Sequence, residues 1–120
     1  VKRRFRLTRS TDFKRVRSEG KSYAHPLVVL MVSRSDEEVT RVGVSASRSV
    51  GGAVERNRAK RLLREAMRPL MTDLPAGWNV ILLARAPLLQ AHFSDIKSAL
   101  QGLLQRARLF STGEKTNNVR

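Results

Sequence analysis

The apolar residues of this chain change period several times, and each change marks an element. Over residues 8–19, Phe13 and Val16 stand one helical turn apart. Thr8 or Ser10 can cap this short helix, and Gly20 can close it in the left-handed conformation. Residues 27–33 open with an unbroken run, Leu-Val-Val-Leu-Met-Val, which predicts a strand covered on both faces for part of its length. Residues 40–47 instead alternate Arg41, Gly43 and Ser45 with Val42, Val44 and Ala46, the period of a half-buried strand. The polar segment Arg34-Ser-Asp-Glu-Glu between them predicts a turn, and so a hairpin of these two strands. Gly51-Gly52 then breaks the pattern. From Ala53 to Arg68 the apolar positions are Ala59, Leu62, Leu63, Ala66 and Met67, continued by Leu70, the spacing of one helix face. Pro69, Pro75 and Gly77 end that helix, residues 79–85 form a buried strand, and Pro87 ends the strand. Ser94 is the predicted cap of a last helix with the stripe Ile96, Leu100, Leu103, Leu104, Ala107 and Phe110. Gly102 interrupts that stripe at a cost of up to about 1 kcal/mol relative to alanine.

The order is thus helix, strands, helix, strand, helix. The strand–helix–strand unit over 40–85 requires parallel strands, with a right-handed crossover as the default. The fold class is α+β, helices packed around one small mixed sheet. A chain of 120 residues suits a single domain that buries roughly 65% of its unfolded surface. The domain is expected over 1–110, and residues 111–120, without periodicity, as a disordered tail. No cysteine is present, which excludes disulfides and thiolate metal sites. The apolar runs 26–32 and 80–84 are strand-sized, far short of the roughly 18 residues of a membrane span. The charged start Val1-Lys-Arg-Arg-Phe is not followed by the apolar segment of a signal peptide. The expected location is the cytoplasm, with no membrane partner.

The formal net charge is +14, and folding does not require such an excess, since self-repulsion opposes compaction. Its distribution suggests a purpose. At 100° per residue, Asn57, Arg61, Arg64 and Arg68 gather opposite the apolar stripe of the 53–68 helix, and Arg56, Arg58 and Lys60 flank them. Only Glu55 and Glu65 offset these cations along the helix, for instance through an Arg61–Glu65 pair. Guanidinium forks suit phosphate oxygens, Asn57 adds an amide, and the N-terminus behind Gly51-Gly52 offers free N–H groups. The expected partner is a nucleic acid.

Candidate catalytic groups are sparse. His25 and His92 lie in separate segments, Asp36, Glu37 and Glu38 share a polar turn, and Asp12 sits where it would stabilise a helix dipole. No nucleophile elbow or metal-ligand spacing occurs. Of the aromatics, Phe13 is the best placed to stack on a base, because Lys14, Arg15 and Arg17 surround it; packing onto the sheet is the competing role.

Several segments together carry a resemblance. They are Arg4-Phe-Arg-Leu, Asp12-Phe13, Gly20-Lys-Ser, Arg41-Val-Gly-Val-Ser, Gly51, Ala53-Val54, Arg56-Asn-Arg-x-Lys-Arg-Leu-x-Arg and Ala84-Arg-x-Pro. In this order, from about residue 3 to 108, the chain resembles the protein subunit of bacterial ribonuclease P. The resemblance implies a ribonucleoprotein that removes the 5′ leader of precursor tRNA. It implies that the RNA is catalytic and holds the magnesium, and that no protein partner is required. It also implies a single-domain two-layer α/β sandwich with three helices and a left-handed βαβ crossover, against the default hand. The helix cations Arg56, Asn57, Arg58, Lys60, Arg61, Arg64 and Arg68 would then meet the catalytic RNA. Phe13 would contact the leader, with Arg48 and Arg85 nearby. Arg17 and Met31 stand at leader-facing positions where the family often has aromatics, so charge should replace part of the stacking. The rival readings are a ribosomal-type or RNA-chaperone protein without a role in tRNA processing, and a self-sufficient nuclease.

Overall fold

The strands with the longest apolar runs lie at the centre of the sheet, and the shorter or more polar ones at its edges. The computed structural model describes residues 10–109, with side chains from residue 13 onward. Its elements are α1 (Ser10–Glu19), β1 (Lys21–Ala24), β2 (Val28–Arg34), β3 (Arg41–Ala46), α2 (Ala53–Met67), β4 (Trp78–Ala84) and α3 (Phe93–Arg106). The sheet order is β1-β2-β4-β3. β4 runs antiparallel to β2 and parallel to β3, with Met31 opposite Ile81 and Gly43 beside Ile81. The predicted parallel strands of the β3–α2–β4 unit are therefore present, but the predicted hairpin of 27–33 with 40–47 is not. β4 enters between the two because its Val-Ile-Leu-Leu run is apolar on both faces and gains most from a central place. β3, with Arg41, Gly43 and Ser45 on one face, suits an edge. β2 pairs instead with β1, whose Lys-Ser-Tyr-Ala sequence is too short and polar to show a strand period.

Alternation divides the core. Val28, Leu30, Val32, Val80, Leu82 and Ala84 face α2 and α3 and form the larger cluster. Val29, Met31, Ile81 and Leu83 face the other way, where α1 lays Phe13 and Val16 on them. The sheet and the α2–α3 pair are the two main layers, and α1 adds a smaller one on the opposite face. The described part is thus α+β, with three α-helices and a four-stranded mixed sheet.

Helix ends show where local expectation and tertiary packing part. Gly20 is not left-handed; of the described glycines only Gly51 and Gly77 have positive φ. Gly20 is needed for space, since a Cβ there would lie 2.3 Å from the carbonyl oxygen of Val32 and 2.5 Å from that of Val16. α1 opens at Ser10, and Thr8 lies outside the described residues. α3 starts at Phe93 with His92 as its N-cap, so Ser94 is inside the helix. Its stripe is buried as predicted through Ile96, Leu100, Leu103 and Leu104, with Ala99 added. Each fully buried leucine contributes about 1.5–3 kcal/mol. Arg108 takes the left-handed position after the helix (φ 62°), which lets the Leu109 N–H reach the Leu104 carbonyl at 2.9 Å and returns Leu109 to the core. Phe110 and the expected tail 111–120 lie outside the described residues.

Candidate nucleic-acid interface

α2 buries Ala59, Leu63, Ala66 and Met67 and leaves its cations outward. Asn57, Arg58, Arg61 and Arg68 are exposed, while Arg56, Lys60 and Arg64 are half-buried along the flanks. Of the predicted row, Asn57, Arg61 and Arg68 are thus exposed and Arg64 is half-buried. Its acids are occupied locally. Glu65 Oε2 accepts from Arg68 Nη2 at 2.6 Å, so the acid's partner is Arg68 and not the expected Arg61. Glu55 Oε1 accepts the Gly52 N–H at 3.0 Å. That bond places a carboxylate at the helix N-terminus, which competes with a phosphate there. The Glu65–Arg68 pair is about half exposed and adds little to stability.

Arg56, Asn57 and Lys60 converge with Ala53 on a groove of about 250 Å³ whose other wall is Ser45 and Ala46, the end of β3. The groove joins the cationic helix to the edge strand. Ser45 pairs with Leu83, and so belongs to the sheet face on which α1 packs. The sequence showed the alternation of this strand but not its part in a groove, which arises because β3 is the edge.

On that sheet face, Phe13 is half-buried against Val16, Met31 and Ile81. Both predicted roles are thus available to it: part of the ring is core and part is open. Met31, only 7% exposed, forms the floor beneath and has almost no surface for a ligand. Arg17 is exposed one turn after Phe13 on α1. Arg48 and Arg85 are exposed just beyond the C-terminal ends of the parallel strands β3 and β4, whose last residues Ala46 and Ala84 pair. Arg85 is anchored there: its backbone N–H reaches the Leu27 carbonyl at 3.0 Å and its Nη1 the His25 carbonyl at 3.3 Å.

A family model described as Ribonuclease P matches residues 1–108. The chain belongs to the ribonuclease P protein family. A "Ribonuclease P protein component" from Herpetosiphon aurantiacus is 40% identical over 115 residues, 96% of this chain and 94% of the relative. Among solved structures, a Staphylococcus aureus RNase P protein superimposes with a TM-score of 0.79 at 28% identity, over 88% of this chain and 97% of the other. A mutant of the Staphylococcus aureus protein, described as having defective mRNA degradation activity, gives 0.80 at 28% identity over 89% and 91%. Family membership makes this chain a protein component of an endoribonuclease and implies an RNA partner. For a ribonuclease P protein the cation band on α2 and the open face beside α1 are two surfaces joined at the β3 edge.

The two histidines lie apart in the chain. His25 Nδ1 accepts the Leu27 N–H at 3.0 Å, and His92 is the residue before the first turn of α3, with no capping bond from its side chain. Among the described residues no three His, Cys, Asp or Glu side chains gather as metal ligands. No described helix is long and apolar enough to cross a membrane.

Proposed function

We propose that this chain binds the catalytic RNA of ribonuclease P through α2, and the single-stranded 5′ leader of precursor tRNA through the face beside α1. The RNA then performs the endonucleolytic cut. The observation that carries this reading is the α2 band of Arg56, Asn57, Arg58, Lys60, Arg61, Arg64 and Arg68, whose nearby acids Glu55 and Glu65 are held by Gly52 and Arg68. Guanidinium groups on a rigid helix present several fixed donors to phosphate oxygens, and each charge-assisted contact outlasts competition from water. Phe13 offers a partly open ring for a base, while Arg17, Arg48 and Arg85 supply charge for the leader's phosphates. Magnesium, which supplies charge stabilisation for phosphodiester hydrolysis, is assigned to the RNA. No protein partner is required, and the working compartment is the cytoplasm.

The test is reconstitution with a bacterial catalytic RNA. Adding the protein should tighten binding of precursor tRNA while leaving mature tRNA nearly unchanged. Equal effects on both substrates would remove the leader from the assignment and favour a general RNA chaperone. The mRNA degradation activity named for the Staphylococcus aureus protein supports a second reading, in which the protein itself cuts RNA. That reading needs an acid–base pair or a metal hold that the described residues do not bring together.

A further inference from the structure

The turn between β1 and β2, His25-Pro26-Leu27, is held more tightly than a solvent-facing turn requires. Two arginines from distant parts of the chain grip consecutive carbonyls: Arg106 Nη1 donates to Ala24 O at 2.8 Å and Arg85 Nη1 to His25 O at 3.3 Å. The Arg106 guanidinium also lies over the Tyr23 ring, 5.7 Å from its centroid. His25 and Val28 close the turn through reciprocal backbone bonds of 3.0 and 3.2 Å. Pro26 fixes one more dihedral. The turn is therefore a rigid platform.

Beside it lies an open, mainly apolar hollow of about 400 Å³, walled by Ala24, His25, Pro26, Arg85 and Pro87. Its position follows from the register. Ala24 pairs with Val29, and Val29 belongs to the sheet face that carries Phe13 and Met31. The hollow thus continues that face at the end where Arg85 leaves β4. Its chemistry is specific in one respect. His25 Nδ1 accepts the Leu27 N–H at 3.0 Å, so in the neutral ring Nε2 carries the proton and remains available as a donor. The hollow therefore combines two proline rings and an imidazole as flat walls, with an imidazole N–H donor and a guanidinium among its lining groups. No carboxylate among the described residues lines it. A base against the prolines and imidazole, with its phosphate beside Arg85, would satisfy all three.

We propose that this hollow is a subsite for one unstacked nucleotide of the leader, beyond the Phe13 contact. The proposal rests on the leader-binding reading above. His25 supplies the wall and a hydrogen bond, and Arg85 holds the phosphate.

The test uses the reconstituted holoenzyme and precursor tRNAs whose leaders grow one nucleotide at a time. His25→Asn keeps a side-chain acceptor for the Leu27 N–H but removes the ring and its Nε2 donor. Its fold is checked by the melting transition through Trp78, the only tryptophan. Pro87→Ala, on the opposite wall, serves if His25→Asn fails to fold. In the wild type, affinity should step up when the leader first reaches the hollow. The variant should lose that step, roughly five- to tenfold, with shorter leaders unaffected. An abasic residue at the sensitive position should cost the wild type the same factor and the variant nothing more, a coupling that a structural defect would not produce. Additive losses, or superimposable wild-type and variant curves, would overturn the subsite while leaving leader binding intact. A wild type indifferent to leader length would overturn both.

Discussion

Phe13 divides its ring between the small core under α1 and the solvent, so its two roles can be separated by substitution. Phe13→Leu should keep most of the packing with Val16, Met31 and Ile81 but weaken binding of leader-bearing precursor tRNA. The lost base stack is worth about 1–3 kcal/mol, and the lower end applies because the ring is only partly open. Mature tRNA should bind as before; a loss shared by both substrates would point to damage elsewhere. Gly20 gives a stability prediction of another kind. Gly20→Ala would force a methyl to within 2.3 Å of the Val32 carbonyl oxygen, so α1 must move off β2. A loss of about 1–3 kcal/mol should appear in chemical unfolding followed at Trp78. An unchanged midpoint would mean that the α1–β2 approach is looser than described. The sequence marks Gly20 as special because a glycine follows a helix pattern. It could not reveal that the reason is a carbonyl on another strand. For Met31 the same limit holds: position along the strand was legible, but burial beneath Phe13 depends on α1.

At the scale of elements, α2 was the most legible, since one 3.6-residue period places both its buried stripe and its cation band. α3 was legible in its stripe but not at its start, where His92 and not Ser94 flanks the first turn. β1 was invisible, because four residues with little apolar content carry no period. The β2–β3 hairpin was misread because chain neighbours with complementary periods commonly pair, and only competition with the more apolar β4 excludes it. Replacing both Arg56 and Arg58 with Ala should weaken binding to the catalytic RNA by about 1–3 kcal/mol per lost contact. Affinities within twofold of the wild type, with folding intact, would remove α2 from the RNA interface. Glu55→Gln tests the opposite sign. Gln can still accept the Gly52 N–H but withdraws a negative charge from the end of the band. RNA affinity should rise, most clearly at low salt, while the helix loses about 0.3–1 kcal/mol of dipole stabilisation. A fall in RNA affinity would place Glu55 in a contact of its own.

At the scale of the molecule, acidic and basic groups of the described residues lie at different ends of the strands. Asp36, Glu37 and Glu38 occupy the turn before β3, whereas Arg48 and Arg85 follow the opposite ends of β3 and β4, about 20 Å away along the sheet. Arg41 is itself paired with Glu37 at the acidic end. Among the described residues, Arg48, Arg85 and the α2 cations thus lie away from the acidic turn, an asymmetry that would orient the protein on a polyanion. If about six phosphates are neutralised, log K for the catalytic RNA should fall with log [salt] at a slope of about −4 to −5. A slope near zero would leave the charge without a role in association. Fold class and family were legible from the sequence because they rest on spaced motifs, whereas the strand order and the grooves arise from contacts between distant segments. The central claim is that this chain binds and positions while its RNA partner cuts. The most direct test incubates precursor tRNA and magnesium with highly purified protein, with catalytic RNA, and with both, and follows the leader cut. The account predicts no leader-specific cleavage by the protein alone and efficient cleavage once the RNA is added. Leader-specific cleavage that tracks the protein through purification, without RNA, would contradict it.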